Sequence, residues 1–471
     1  MSQERAQTLV NQGKQRWTQF APIAPFLVPG WDANLRNHTE SQLPVRQNRK
    51  VYDTTGTHAV GVLANGLMSF VTPPEEYWAA LSEEGIPERL KKPFQRINSN
   101  VTKVLANQFI KSDLYSTLHN MYVDLSTFCT AAIYIGWKKD KLLFERIRPG
   151  TYGFEVDYDG DTLEFSRAID MTVGQIKSFF GMCPPSLAGK GIGQVEEVFH
   201  YVSKDPLTNK ITGTWFLSSI QDPLKVEEFD IFPYIVTRFA TGNTKWGVGP
   251  GFYAAPDIMT LNGMEGAMDF LVKKMVDPPK FKTPGARGKL SFAPGAVNTI
   301  LNQSQIPIEL TPQGNPMIGM QRIEMKKENV KEYFYTNLFN MFSNLAQQSS
   351  SRRTTSEVAQ LEQERRSGFT PVLYSLSRTL LKPLISRSLK LVMTNTNLVE
   401  MENEEVRELL VEQDGSLKLE SITVDTFIRR ALEQRRLQAS LGTAEMFQQL
   451  GPETQMLIDP KIQCFCRYNA F

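Results

Sequence analysis

Cysteine, histidine and net charge are all scarce in this chain, and each scarcity removes a class of function. Four cysteines in 471 residues cannot build a disulfide scaffold and suit a reducing compartment. Cys464 and Cys466 form a CxC, but no second cysteine pair lies nearby and no histidine follows His200. A four-ligand zinc site is therefore not expected, and the two read as ordinary thiols on an extended tail. The four histidines, His38, His58, His119 and His200, form neither HxxxH nor HExxH, which leaves a zinc hydrolase without ligands. No GxSxG elbow is present. With 52 basic and 50 acidic residues the net charge is only +2, so any contact with DNA has to be local or weak, not a broad phosphate-neutralising surface. No window reaches 18 uninterrupted apolar residues, which speaks against a membrane span. The opening MSQERAQTLVNQGKQRW lacks the apolar core of a signal peptide.

What is present is ordinary globular material, 41% hydrophobic and 22% charged, long enough for two to four domains at about 150 residues each. The chain changes texture along its length. Residues 1 to about 48 read as a helix followed by a segment kept extended by Pro22, Pro25 and Pro29. In VYDTTGTHAVGVLANGLMSFVTPP, Ala59, Leu63 and Leu67 recur at helical spacing until Pro73-Pro74 stops the helix. Residues 88 to 128 continue helical, with Leu105, Phe109, Leu114, Leu118, Met121 and Leu125 mostly three or four apart. Short β-rich runs follow at 131–137, 142–147, 152–158 and 163–169, separated by KKDK and DYDGD, as in an antiparallel meander. MTVGQIKSFFG inserts one helix with Gly181 as its C-cap, and QVEEVFHYVS, TGTWFLSSI and FPYIVTRFA add strands. The fold class expected is α+β.

From 257 the pattern turns helical again. Leu261, Met264, Met268, Leu271 and Met275 alternate three- and four-residue steps, the mark of a helix packing on a helix. A proline- and glycine-rich insert occupies 280–322. A second helix is expected over 326–348, with Phe334, Leu338, Phe342 and Leu345 on one stripe. Next comes the polar SSSRRTT, in which Arg352 and Arg353 stand exposed. A long helical pattern restarts with Thr354 or Thr355 as N-cap and runs toward Leu391, bending at Pro371 and Pro383. A short strand in SLKLESITV, a helix over about 425–441 and a shorter one near 443–450 complete the chain.

The glycine-rich pieces need weighing as phosphate sites. FATGNTKWGVGPGFYAAPDIMTLNGME places Gly247, Gly249 and Gly251 ahead of a helix opening at Asp257, the arrangement in which backbone N–H groups cradle an anion. No lysine followed by Ser/Thr comes next, Pro250 removes a donor, and Phe252 stands where a dinucleotide fingerprint has its third glycine. The stretch reads as a turn feeding a helix, its glycines serving backbone turning and close packing between subunits. GKGIG (189–193) also lacks the following Ser/Thr. DYDGD (157–161) lacks the downstream glutamate of a calcium loop and reads as a hairpin turn. Glu402, Glu404, Glu405 and Glu408 read as a solvated helix face. No catalytic, cofactor-binding or metal-binding residue is assigned, and no enzyme activity is expected.

Five blocks carry a resemblance. They are VYDTTGTHAVGVLANGLMSFVTPP, YVDLSTFCTAAIYIG, RFATGNTKWGVGPGFYAAPDIMTLNGM, DPPKF, and TTSEVAQLEQERRSGFTPVLYSLSRTLLKPLISR. In order and over most of the chain, they resemble the head-to-tail connecting, or portal, proteins of short-tailed bacteriophages. Departures are Trp246 where tyrosine is usual, Val248 where arginine is usual, and Cys129 where glycine is commoner. The short C-terminus implies a reduced or absent barrel above the crown.

The resemblance implies the portal fold, a ring of identical subunits, usually twelve, around a central channel at one capsid vertex. Its parts map as wing 1–250, first stem helix 251–276, clip 277–325, second stem helix 326–348, channel loop 349–355, long kinked helix returning to the wing 356–422, and crown 423–471. The implied channel-loop residues are Ser349, Ser350, Ser351, Arg352, Arg353 and Thr354. The stem-packing residues are the two stripes named above. Implied partners are further copies of the chain, double-stranded DNA passing through, the terminase large subunit during packaging, a tail adaptor at the clip, and the major capsid and scaffolding proteins. No membrane and no cofactor is implied. Two other classes compete. A different ring-forming virion adaptor shares helices and neutrality but is usually much shorter, and a nucleotide-dependent enzyme needs the phosphate loop that is lacking here.

Overall fold

The computed structural model describes residues 3–31, 51–74, 78, 88–181, 184–242, 244–276, 280–281, 308–309, 316–339 and 369–395. Its opening helix α1 (Gln3–Thr18) lays Ala6, Leu9 and Val10 on a sheet. The proline segment that follows is not extended. Turns after Trp17 lead into the short helix α2 (Ala24–Leu27), with Pro25 in its first turn, where a missing N–H leaves no hydrogen bond unmade. The helices α3 (Thr55–Val71), α4 (Glu88–Lys111) and α5 (Leu114–Phe128) follow the expected periodicity.

Strands β1 (Thr130–Lys138), β2 (Lys141–Ile147), β3 (Tyr152–Val156) and β4 (Thr162–Thr172) come next. Helix α6 (Val173–Phe180) interrupts them, opened by a capping box between Thr172 and Gln175 and closed by Gly181 at φ 68°. Then β5 (Val195–Lys204), β6 (Ile211–Leu217), β7 (Pro223–Phe229) and β8 (Tyr234–Arg238) follow. The strands form two sheets instead of one meander. β3 to β7 make a five-stranded antiparallel sheet in sequence order, while β8 returns to pair with β1 in a three-stranded sheet β2-β1-β8. DYDGD is the turn of the β3–β4 hairpin, with Gly160 at φ 86°.

β7 has no counterpart among the strands expected from the sequence. It begins at a proline and carries Lys225, Glu227 and Glu228 with a mostly exposed pattern. Charge and proline are what an edge strand uses to discourage further pairing, and they erase the apolar alternation that reveals a strand.

The two sheets meet through aromatic and polar groups. Phe165 of β4 stacks on Tyr234 of β8 at 4.1 Å between centroids. His200 of β5 stacks on Trp215 at 3.9 Å and shares a short hydrogen bond with the Tyr234 hydroxyl. Burial, with Arg167 and Lys225 nearby, holds His200 well below its usual value and therefore neutral.

The chain leaves the sheets through β9 (Ala240–Thr241), β10 (Gly247–Val248) and α7 (Pro250–Tyr253), then enters the long helix α8 (Ala255–Val276). A two-residue ladder joins β11 (Lys280–Phe281) to β12 (Ile308–Glu309) within the insert. The second long helix is α9 (Pro316–Tyr333), where 326–348 was expected, and 340–348 lie outside the described residues. It begins ten residues early and breaks at Tyr335, which sits at φ 54°. The turn at 334–335 and the helical residues 336–339 then bury Phe334, Leu338 and Phe339 in the main core.

The last described helix, α10 (369–395), widens to a π-turn at Ser377–Leu381 just ahead of Pro383. Proline cannot donate to the carbonyl one turn back and its ring crowds that carbonyl, so a wide turn is where the strain is absorbed. The turn is docked to β8 by Thr379 on Thr237 (2.9 Å) and by Ser375 donating to the Arg238 carbonyl (3.1 Å).

Candidate functional site

The glycine stretch and the helix pair that follows it form the feature to be explained. Trp246 anchors the stretch in an aromatic group with Trp17 (5.2 Å) and Phe154 (4.7 Å). The glycines beyond it lie against the end of α5. A Cβ added at Gly247 would stand 2.0 Å from the Cys129 carbonyl oxygen, and one at Gly251 would stand 1.9 Å from that of Thr127. At Gly249 it would meet the Phe239 ring at 2.9 Å. None of the three adopts a left-handed φ. At Gly247 and Gly251 the need for glycine is close approach to backbone within the chain, and at Gly249 to the Phe239 ring, not a left-handed turn.

The N–H groups that a phosphate cradle would present are engaged internally. Gly247 donates to the Thr130 hydroxyl at 2.9 Å, and Phe252 and Tyr253 donate to the Gly249 carbonyl at 3.0 Å. The N–H groups of Gly251 and Phe252 also point at the Cys129 sulfur. Cys129 is the C-cap of α5 at φ 62°, a left-handed position for which glycine is the usual choice. Burial pushes its thiol up to about 12, so it is an inert packed group, not a nucleophile.

Just before that cap, Asp124 of α5 is buried and receives a bidentate pair of hydrogen bonds from Arg146 of β2. Burial raises the Asp124 carboxyl above its ordinary value, against the pull of Arg146 and Arg148. This pair ties α5 to the three-stranded sheet and so fixes the shelf on which the glycines rest.

From that shelf α8 and α9 leave as an antiparallel pair. Asp257 of α8 pairs with Lys326 of α9 at 2.7 Å and accepts from Asn329 at 3.3 Å. Further out, a Cβ on Gly319 would lie 2.6 Å from the Met268 methyl. Of the predicted stem residues, Leu261 is buried, Met264 and Met268 pack on the core, Leu271 is half-buried and Met275 is exposed. Phe334 and Leu338 are buried beyond the end of α9 instead of on its stripe. Phe342 and Leu345, and the channel-loop residues Ser349, Ser350, Ser351, Arg352, Arg353 and Thr354, lie outside the described residues. The buried positions of α9 are Ile323 and Val330. No single stripe announced them, because apolar residues are spread around that helix.

Beyond the root the pair is apolar and open. Val276 is 81% exposed, Ile318 65% and Met320 60%, with Val272, Met275 and Met325 at half or slightly more. Beside the glycine stretch, Phe239, Pro250, Tyr253, Tyr333, Tyr335 and Pro371 line a cleft of about 690 Å³. Among its described lining residues Glu332 is the one carboxylate. Among the described residues no cluster of histidine, cysteine, aspartate or glutamate could hold a metal, and no helix is long and apolar enough to cross a membrane.

These features describe an α+β body from which a pair of long helices projects. The chain belongs to the bacteriophage head to tail connecting proteins, whose family pattern matches residues 2–465. It is 25% identical over 452 residues to a portal protein of Salmonella phage epsilon15, covering 90% of this chain and 79% of that one. It is also 25% identical over 370 residues to a probable portal protein of Bordetella phage BPP-1, covering 72% of this chain and 65% of that one. The chain thus spans about four fifths of the first relative and just under two thirds of the second.

Proposed function

We propose that this chain forms a closed ring at one capsid vertex, twelve copies in number, through which double-stranded DNA is packaged by the terminase and later ejected. The observation that carries this reading is the apolar outer half of the α8–α9 pair. A soluble monomer seldom presents so many large apolar residues together, and copies of the same pair, side by side, would cover them. The body of residues 1–250 serves as wing and the pair as stem. Because α9 begins at Pro316, the clip that meets the terminase large subunit and afterwards the tail adaptor narrows to 277–315. Residues 349–355 serve as channel loop, 356–422 as the kinked helix returning to the wing, and 423–471 as crown. The wing faces the major capsid and scaffolding proteins.

A net charge of +2 suits a conduit, since a wall that held phosphates tightly would stall translocation. Arg352 and Arg353, repeated around the ring, supply a loose basic collar that lets DNA slide and resists its return. The expected result for Arg352→Ala with Arg353→Ala is particles with normal rings and a several-fold fall in full-length packaged DNA, read from DNA extracted from purified heads. Normal packaged length in that double variant would contradict the collar.

A further inference from the structure

The stem pair leaves the body through a compact polar cluster that gathers three separate stretches of chain. Lys327 of α9 reaches Glu265 of α8 at 2.6 Å and Asp53, ahead of α3, at 3.8 Å. The Asn262 side-chain oxygen accepts the Tyr52 N–H at 2.7 Å and the Asp53 N–H at 3.4 Å. The Tyr52 ring lies over Gly266, where a Cβ would stand 2.7 Å from it. Asp53 is itself oriented by the Thr55 N–H and hydroxyl, each at 2.9 Å. On the neighbouring side of α9, Lys326 holds Asp257.

The position of this cluster is informative. Below it Ile258, Leu261, Val330 and Phe334 are sunk in the core. Above it α8 runs on from Glu265 to Val276, roughly 17 Å at 1.5 Å per residue, with exposed apolar side chains. Apolar burial is non-directional and defines the angle of a helix pair less sharply than polar contacts do. Charge-assisted hydrogen bonds are directional. Lys326 and Lys327 are adjacent and point about 100° apart around α9, so anchoring both fixes the rotation of α9 as well as its tilt. The ion pairs are part-exposed, 28% and 21% for Lys327 and Glu265, so they add little to overall stability. Their arrangement suits geometry better than stability.

We propose that this cluster is an angular latch, with Lys327 and Asn262 as positioning residues that hold the stem at one angle to the body and thereby select a single number of subunits. The inference rests on the ring reading given above. Twelve and thirteen equal wedges differ by only about 2° per copy, so a stem free to rock by a few degrees closes rings of mixed count.

The test is the mass distribution of assemblies of the full chain, measured particle by particle. The wild type is expected to give one species. Lys327→Met and Asn262→Leu are each expected to spread over several subunit numbers or open arcs, with an unfolding midpoint close to that of the wild type. Lys327→Arg, which keeps both carboxylate contacts, is expected to return a single species. The latch is overturned if Lys327→Met and Asn262→Leu keep the single wild-type mass, or if Lys327→Arg scatters as widely as Lys327→Met. A wild type that stays monomeric would instead overturn the ring itself, and the two failures are distinct.

Discussion

Gly251→Ala is expected to destabilise the body by roughly 3 kcal/mol, the upper end of the range for an overpacked site. The added methyl would meet the Thr127 carbonyl oxygen at 1.9 Å and that of Ser126 at 3.1 Å. Both are backbone atoms, so no side chain can rotate aside. The α5 terminus cannot retreat either, because Phe128 is packed edge-on against Trp17 at 5.8 Å and against Phe20 at 5.5 Å. Such a loss is a large share of the stability of a domain. Urea unfolding followed by tryptophan fluorescence should show a clearly lower midpoint or no soluble folded protein. Gly61→Ala on α3 is the control: nothing lies within 4 Å of its would-be Cβ, and alanine in a helix interior is favoured by about 0.5–1 kcal/mol. Equal midpoints for Gly251→Ala and the wild type would show that the glycine stretch is not wedged against α5.

The second large effect is expected at Asp124. Asp124→Ala leaves the Arg146 guanidinium without its carboxylate. Breaking a fully buried pair in this way costs about 3–5 kcal/mol. Arg146 keeps 32% of its side chain exposed and can turn partly to water, so about 2–3 kcal/mol is expected here. Replacing both partners by apolar groups of similar size, Asp124→Leu with Arg146→Met, should recover most of that loss, because no charge is left stranded. Denaturant midpoints of the two variants decide the matter. A double variant no better than Asp124→Ala would mean that the carboxylate acts through other contacts than Arg146.

Much of the architecture is legible from residue spacing. Helices α3, α5 and α8 declare themselves because one face is buried and the other is not, and the early strands because KKDK and DYDGD punctuate them. The signal fails where burial is not one-sided or where charge masks it. β7 hides behind Lys225, Glu227 and Glu228. α9 begins early and breaks at Tyr335, a non-glycine residue in a left-handed conformation that no local pattern requires. Pro25 carries no signal between the two, because proline is as welcome in the first turn of a helix as in extended chain.

The site was legible in part. Gly247 and Gly251 stand out in the sequence, but their reason is a contact with Cys129 and Thr127, more than a hundred residues away, and no local spacing can reveal it. Cys129 becomes intelligible once it is seen as a left-handed helix cap, a position for which glycine is the usual choice. The stripe of Leu261, Met264 and Met268 on the covered face of α8 is legible in the spacing, whereas the outward apolar residues Val272, Val276, Ile318 and Met320 are not, because only a structure separates the covered face from the open one.

The most direct test of the account is the particle mass and outline of the purified full chain. A closed ring of twelve copies of the 53.4 kDa subunit, about 0.64 MDa, with a central hole in negative stain, is the predicted result. A monodisperse monomer or dimer at the same concentration, folded and soluble with its α8–α9 pair intact, would contradict it.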